Sequence, residues 1–498
     1  MLLRIRHVVI VEAIVSRSQA GEAGSTVPIF AAIEDHRQSL KPMWRELVRA
    51  VCGPVEGTLA RDTGSALSLI RAGRSQHGRV ENEMLKKSAE NVLRALGSSE
   101  HYFWLSNQTS PKHFVVAAQI GGSTKVASWQ TALAAVQQRH PLLQVCIAED
   151  QVGAPHFRRL NEPGIPLRVV HGGVSENWEQ EVSRELATPL PLKGGPLVRV
   201  VLMHEENRST VIVSAHHSIA DGLSLTFIVR DLLSALSGGS LERLRLTPSQ
   251  EDLCAALGAA PAGVEPSPPT PKSVRPGRLP DRSRSAPSVQ SLRLSAEISG
   301  ELRNRARQER TTVHGALVAS VSLAGRQISS EWMEEPVRVV SPVDNRKLLG
   351  LNDECLLSIV FPVTEHSPRR DAQFWDVARG VTRDLAPART KNGVAATFAA
   401  FGQLISSGPD VKAISQFELQ MCANEMMMSN LGVLPIERNY GDLILEAFWG
   451  PSVLVGIEGE QMIGAATLHG AIHLLHSSYT PIPSLLQTTR RFLLEALQ

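Results

Sequence analysis

Aromatic residues are scarce in this chain, at 4% of 498 residues, and there are only five cysteines. Cys52, Cys146, Cys254, Cys355 and Cys422 stand far apart. They form neither a disulfide framework nor a C-x-x-C metal pair, and they read as buried small hydrophobes in a reducing cytoplasm. An excess of one charge is also missing. Lys and Arg total 51 against 49 Asp and Glu, a net of +2, which leaves no electrostatic footprint for nucleic acid. No run of 18 or more apolar residues occurs, so no transmembrane segment is expected. What is plentiful is ordinary core material. Hydrophobic residues make up 43% of the chain, enough for ordinary globular cores, and the length of 498 residues allows two or three domains.

The chain is organised around Val211–Gly222, VIVSAHHSIADG. Val211, Ile212 and Val213 form a short apolar run that reads as a buried strand. Leu223, Leu225, Ile228, Val229, Leu232 and Leu233 recur at helical spacing beyond it. His216, His217, Asp221 and Gly222 therefore fall on a strand-to-helix connection, where rigid scaffolds often carry chemistry. A histidine there can take up a proton near neutral pH and return it. Asp221 could hold the loop closed through an ion pair, and Gly222 removes a side chain where the backbone turns or a ligand passes. A surface loop with merely polar histidines is the plainer reading of an H-x-x-x-D.

HHSIADG resembles the HHxxxDG signature of the condensation-domain and acyltransferase superfamily related to chloramphenicol acetyltransferase. ALAAVQQRHPLLQVCI (Ala132–Ile147), GGPLVRVVLM (Gly194–Met203), TTVHGALVAS, SPVDNR and MSNLG resemble further landmarks of that superfamily. Within it, the stand-alone enzymes similar to phthiocerol dimycocerosyl transferase and alcohol acetyltransferases look nearest. The family's Asp-Phe-Gly-Trp-Gly motif is absent in that form. Trp449-Gly450, within NYGDLILEAFWGPSV, is only a partial echo of it.

Several expectations follow from the resemblance. The fold is α/β (α+β layered), with two chloramphenicol-acetyltransferase-like lobes and an active-site tunnel between them. His217 is the catalytic base and Arg346 pairs with Asp221, so the aspartate shapes the loop and relays no proton. An acyl-CoA or phosphopantetheine thioester is the co-substrate, with no other cofactor and no metal. The partners are a small-molecule alcohol or amine acceptor and an acyl-carrier protein, for a monomeric, cytoplasmic protein of lipid or polyketide ester biosynthesis. Amide formation by a stand-alone condensation enzyme and a non-catalytic carrier-binding module stay open as alternatives.

Along the chain, residues 1–83 do not match the family. HVVIVEAIV (His7–Val15) is broken by Glu12 and lacks a cleavage site, so it does not read as a signal peptide. SRSQAGEAGSTVP is a connector by composition, and Leu40–Val51 suits a short helix. The segment is expected to be a disordered extension or an over-called start, with Met84 opening a helical pattern, MLKKSAENVLRAL. The first lobe is expected over 84–260, with a strand in HFVVAAQIGG, a helix over Val126–Gln138, a strand over Leu142–Ile147 and a hairpin through APHFRRL. A Pro/Ser/Arg-rich linker follows at 261–288, where Pro261–Pro287 reads PAGVEPSPPTPKSVRPGRLPDRSRSAP. The second lobe runs over 289–498, with a helix capped by Thr311 or Thr312 and strands in VRVVSPVD and CLLSIVFPV.

Three further groups stand out. Ser429 and Asn430 are candidate donors to a developing oxyanion, or plain turn residues. Met426, Met427 and Met428 line a greasy channel or fill core, and with few aromatics they favour an aliphatic acyl chain. His469, His473 and His476 have helical spacing for zinc, but no acidic residue stands near and the segment reads as a late strand, which scatters the rings.

Overall fold

Continuous apolar runs such as FVVAA and VIV become strands buried on both faces. The computed structural model describes residues 91–161, 164–171, 177–258, 277–280, 286–367 and 373–498. The expectations for residues 1–83, and most of the linker at 261–288, lie outside the described residues.

The first half supplies β1 (Val92–Ala95), β2 (His113–Gly121), β3 (Val145–Glu149), β4 (Pro155–Arg159), β5 (Leu167–His171), β6 (Val198–His204) and β7 (Arg208–His216). The second supplies β8 (Ser288–Leu294), β9 (Val337–Val340), β10 (Val343–Asp344), β11 (Ile359–Val360) and β12 (Val363–His366). It continues with β13 (Met426–Val433), β14 (Asn439–Tyr440), β15 (Leu443–Val453), β16 (Gln461–Leu468) and β17 (Ala471–Ser478). One six-stranded sheet runs β14-β15-β2-β7-β6-β5 and the other β12-β9-β13-β16-β17-β8. Helices cover both, which makes a two-lobed mixed α/β fold.

The lobes share a strand. β15 comes from the second half, yet it pairs antiparallel with β2 in the first sheet. An apolar layer joins the sheets. Val115, Ala117 and Ile212 from the first meet Met462 and Leu475 from the second, with Trp178 stacked on Trp449 at 5.2 Å. Such burial holds the lobes as one body, because separating them would expose that layer to water.

Most expected elements form. The helix Val126–Arg139 buries Trp129, Leu133 and Val136 on one face, and β3 and β4 make the hairpin. Thr312 caps the helix Val313–Ile328 by accepting from Gly315 N at 3.0 Å.

Three expectations are corrected. Val92–Ala95 is a strand rather than part of a helix, because it pairs with β4. Pro141–Gln144 is a 3-10 turn before β3, as Pro at the first position favours. In CLLSIVFPV only Ile359–Val360 and the end at Val363 are strand. Pro362 breaks the ladder, and the backbone of 356–358 is turned toward the His-Asp loop instead.

Candidate active site

β7 lies between β2 and β6, and Val211, Ile212 and Val213 are fully buried. The strand ends at His216, which sits opposite His113 of β2. The chain then turns. His217 N donates to Lys112 O at 2.9 Å, and Ile219 N donates to His216 O at 3.1 Å. Asp221 caps the helix Gly222–Leu236: its Oδ1 accepts from Ser224 N at 2.9 Å, while Ser224 Oγ accepts from Asp221 N at 3.2 Å. This reciprocal cap fixes the angle at which strand passes into helix.

The imidazole of His217 lies between two aromatic rings. Phe103, from the helix Ser98–Ser106, stacks at 4.8 Å and 21°, and Phe114 of β2 stacks at 4.3 Å and 23°. Nδ1 is 3.2 Å from Ala220 O. A carbonyl can only accept, so Nδ1 carries the hydrogen and Nε2 keeps its lone pair. The side chain is 5% exposed. Burial pushes His217 down to about 4, with the Asp221 charge acting in the opposite direction. The ring is therefore a neutral base with a fixed tautomer at neutral pH.

His216 has a different role. Its Nδ1 accepts from Ser218 N at 3.1 Å, which stiffens the turn. Burial first, and then His217, pushes it down to about 3.

Asp221 is fully buried, and its second oxygen accepts from Arg346 Nη1 at 2.5 Å and from Ser358 N at 2.9 Å. Arg346, 4% exposed, also reaches Ser224 Oγ at 2.9 Å, Leu356 O at 3.3 Å and Asp344 Oδ1 at 3.2 Å. The carboxylate is thus occupied by a cap, an arginine and a backbone N–H from the second half. It staples the motif loop to residues 344–358.

Gly222 sits at a close approach. A Cβ there would lie 2.6 Å from Leu431 Cδ2 and 3.2 Å from Pro451 Cγ. β13 and β15 of the second half thus press on the first turn of the motif helix.

The structure brings His216, His217, Asp221, Gly222 and Arg346 together. Ser429 and Asn430 lie on β13, next to the Leu431 that meets Gly222. Asn430 Oδ1 accepts from Gly432 N at 2.8 Å, a turn contact, and the side chain lines a cavity of about 610 Å³ in the second lobe. Met426 and Met428 are fully buried in the second-lobe core, and Met427 packs on the layer between the sheets. His473 and His476 lie three apart on β17, His469 precedes it, and His476 Nε2 is 2.9 Å from Gln461 Oε1. Among the described residues no cluster of three metal-ligating side chains occurs. Trp449 belongs to β15 and packs on His473 at 4.7 Å. Phe103 and Phe114 were not legible as site residues. Phe103 stands in the aromatic run HYFW and Phe114 in the apolar run FVVAA, and neither run says which ring meets the histidine.

Residues 100–251 match the condensation-domain family, and residues 283–465 match the family described as phthiocerol/phthiodiolone dimycocerosyl transferase C-terminus. In fold the chain is similar to polyketide synthase associated protein 5 from Mycobacterium tuberculosis. The TM-score is 0.58 at 18% identity, covering 82% of this chain and 99% of that one. It is also similar to TRI3 trichothecene 15-O-acetyltransferase from Fusarium sporotrichioides, with TM-score 0.56 at 14% identity, covering 81% and 94%. A hybrid PKS-NRPS synthetase, thnA of Trichoderma harzianum, is 27% identical over 161 residues, 31% of this chain but only 4% of the synthetase. The matches in both halves, with the two-lobed fold, establish that the chain belongs to the condensation-domain superfamily of acyltransferases.

Proposed function

We propose that the protein transfers an acyl group from a thioester, acyl-CoA or acyl-carrier protein, to an acceptor hydroxyl, forming an ester. The observation that carries this reading is the His217 ring: neutral, stacked on both faces, with Nδ1 tied to Ala220 O and Nε2 left as the base. Nε2 takes the hydroxyl proton as the acceptor oxygen attacks the thioester carbonyl. The tetrahedral intermediate collapses, the C–S bond breaks, and the departing thiolate recovers the proton from Nε2. No acyl-enzyme is needed. The reading includes a passage between the lobes by which both substrates reach His217.

The test is thiol release from acyl-CoAs and acyl-loaded carriers, with and without a pool of alcohols and amines. Wild type should require an acceptor, and His217→Ala should keep its fold and lose at least 100-fold in rate, the usual contribution of a general base. Wild-type turnover by that variant overturns the mechanism. Amide formation is the second reading. It is favoured by sequence similarity to synthetases of nonribosomal peptides, and preference for amine acceptors in the same assay would select it.

A further inference from the structure

Glu418, on the helix Val411–Met421 of the second half, is buried and stands outside the motif. One of its carboxylate oxygens, Oε1, gathers three groups from the first half. Tyr102 OH donates to it at 2.9 Å, Ser106 Oγ donates as well, and Lys112 Nζ lies 3.2 Å away. Tyr102 and Ser106 stand four residues apart on the helix Ser98–Ser106, so both hydroxyls leave the same face of it. Aromatic packing follows the same path. Tyr102 meets Phe401, of the helix Lys391–Ser406, edge-on at 5.2 Å, and Phe417, the neighbour of Glu418, at 6.3 Å. A lysine as buried as Lys112 needs paired partners. Its ammonium is shared between Glu418 and Val455 O, which accepts at 2.7 Å just beyond β15.

These anchors lead to the groups that touch His217. Phe103, whose ring covers one face of the imidazole, follows Tyr102 in the same helix. Lys112 O accepts from His217 N at 2.9 Å. Phe114, on the other face, lies two residues further along the chain in β2. Asn107, at the end of the helix, ties the two arms together by accepting from Lys112 N at 2.7 Å.

We propose that Glu418 is a positioning residue, which holds the Phe103 ring and the Lys112 carbonyl against His217 from the second half. The inference rests on the general-base reading of His217 above. A base must present its lone pair at a set distance and angle, and a misplacement of about 1 Å can cost about 100-fold in rate. Water exclusion depends on the same contacts. Burial is the largest cause of the lowered His217 value. Asp221 faces the ring from the motif turn and favours its charged form, while Lys112 and His113 at the head of β2 oppose it. Freeing the helix Ser98–Ser106 admits water at the Phe103 face and moves the ring toward the ordinary value of about 6.5.

The test uses the full chain in two forms. Tyr102→Phe combined with Ser106→Ala cuts the helix from Glu418 but leaves the Lys112–Glu418 pair, so no charge near the ring changes. Glu418→Ala removes all three contacts. Per folded molecule, Glu418→Ala should lower kcat about tenfold or more and the hydroxyl double about threefold or more, with KM for donor and acceptor within about twofold. Glu418→Gln should recover most of the loss, because its amide oxygen still accepts from both hydroxyls. Glu425→Gln is the control. It breaks a buried pair with Arg338, 2.6 Å long and within the second lobe, and should cost stability but not kcat.

Ring nitrogen NMR of histidine-labelled protein at pH 5.5 reads the placement without turnover, the His217 signal being the one lost in His217→Ala. The wild-type ring should be neutral and that of the hydroxyl double partly protonated. Wild-type kcat in both variants, an equal fall in Glu425→Gln, or a neutral ring in the hydroxyl double overturns the proposal. If Glu418→Ala does not fold, the hydroxyl double decides alone. Thiol release that survives His217→Ala defeats the general-base reading, whereas release that needs His217 but ignores the hydroxyl double defeats the positioning proposal alone.

Discussion

His217 is held by contacts of different kinds: two ring faces, one carbonyl and a loop locked from outside by Asp221 and Arg346. The rings exclude water, and that desolvation keeps the base neutral far below the usual histidine range. A base with a pKa of about 4 is about nine-tenths deprotonated at pH 5 and almost wholly so above about pH 6. The acid limb of kcat/KM should therefore lie near 4, and Phe114→Ala, which admits water, should move it toward the ordinary histidine value of about 6.5. An unmoved limb in that variant would show that the ring does not set the base. The Asp221 carboxylate is taken up by Ser224 N, Arg346 Nη1 and Ser358 N. Removing one partner of so buried a pair typically costs about 3–5 kcal/mol. Asp221→Ala should lower the chemical-denaturation midpoint accordingly, and combination with Arg346→Met should lose less than the sum of the two singles.

At the scale of elements, β15 decides how the halves meet. It pairs with β2 and crosses β16 so closely that a Cβ on Gly464 would lie 2.1 Å from Pro451 O. The clash is with backbone, which cannot rotate away. Gly464→Ala should therefore destabilise by about 1–3 kcal/mol, as overpacking does, and lower turnover as well, since Pro451 also bears on Gly222. Gly300, within the helix Ala296–Gln308, has nothing near its missing Cβ. Gly300→Ala should leave turnover unchanged and raise stability by about 0.4–1 kcal/mol. Thermal melts and thiol release on both variants check the contrast.

For the whole molecule, buried neutral histidines set the acid limit. Burial lowers His216 to about 3 and His217, His314 and His476 to about 4. Each folded-state value lies below the unfolded value near 6.5, so the unfolded chain binds more protons between about pH 4 and 6.5. This contribution is complete above that window and is lost as the pH falls through it. Each ring forfeits on the order of 1 kcal/mol by pH 5.5. The thermal midpoint should drop by several degrees between pH 7.5 and 5.5, and replacing His476 with Gln should shrink the drop. A flat profile would contradict it.

The sequence by itself determined what depends on neighbours along the chain. The apolar run before HHSIADG set a buried strand, the spacing after it a helix, and the Asp-Gly pair the junction between them. Motif resemblance added the Asp221–Arg346 pair across 125 residues. Contacts between distant segments that carry no motif were decided only in the tertiary structure. Phe103 and Phe114 look like any core aromatics until β2 and β7 align and the helix Ser98–Ser106 folds over them. β15 reads as a strand of the second half, yet it completes the first sheet, because a strand's pattern specifies its faces and not its partner. Leu356 and Ser358 read as strand, but their N–H groups donate to Ser224 and Asp221, and Leu356 O accepts from Ser224 and Arg346. The polar backbone must be satisfied somewhere, and only the folded chain settles where.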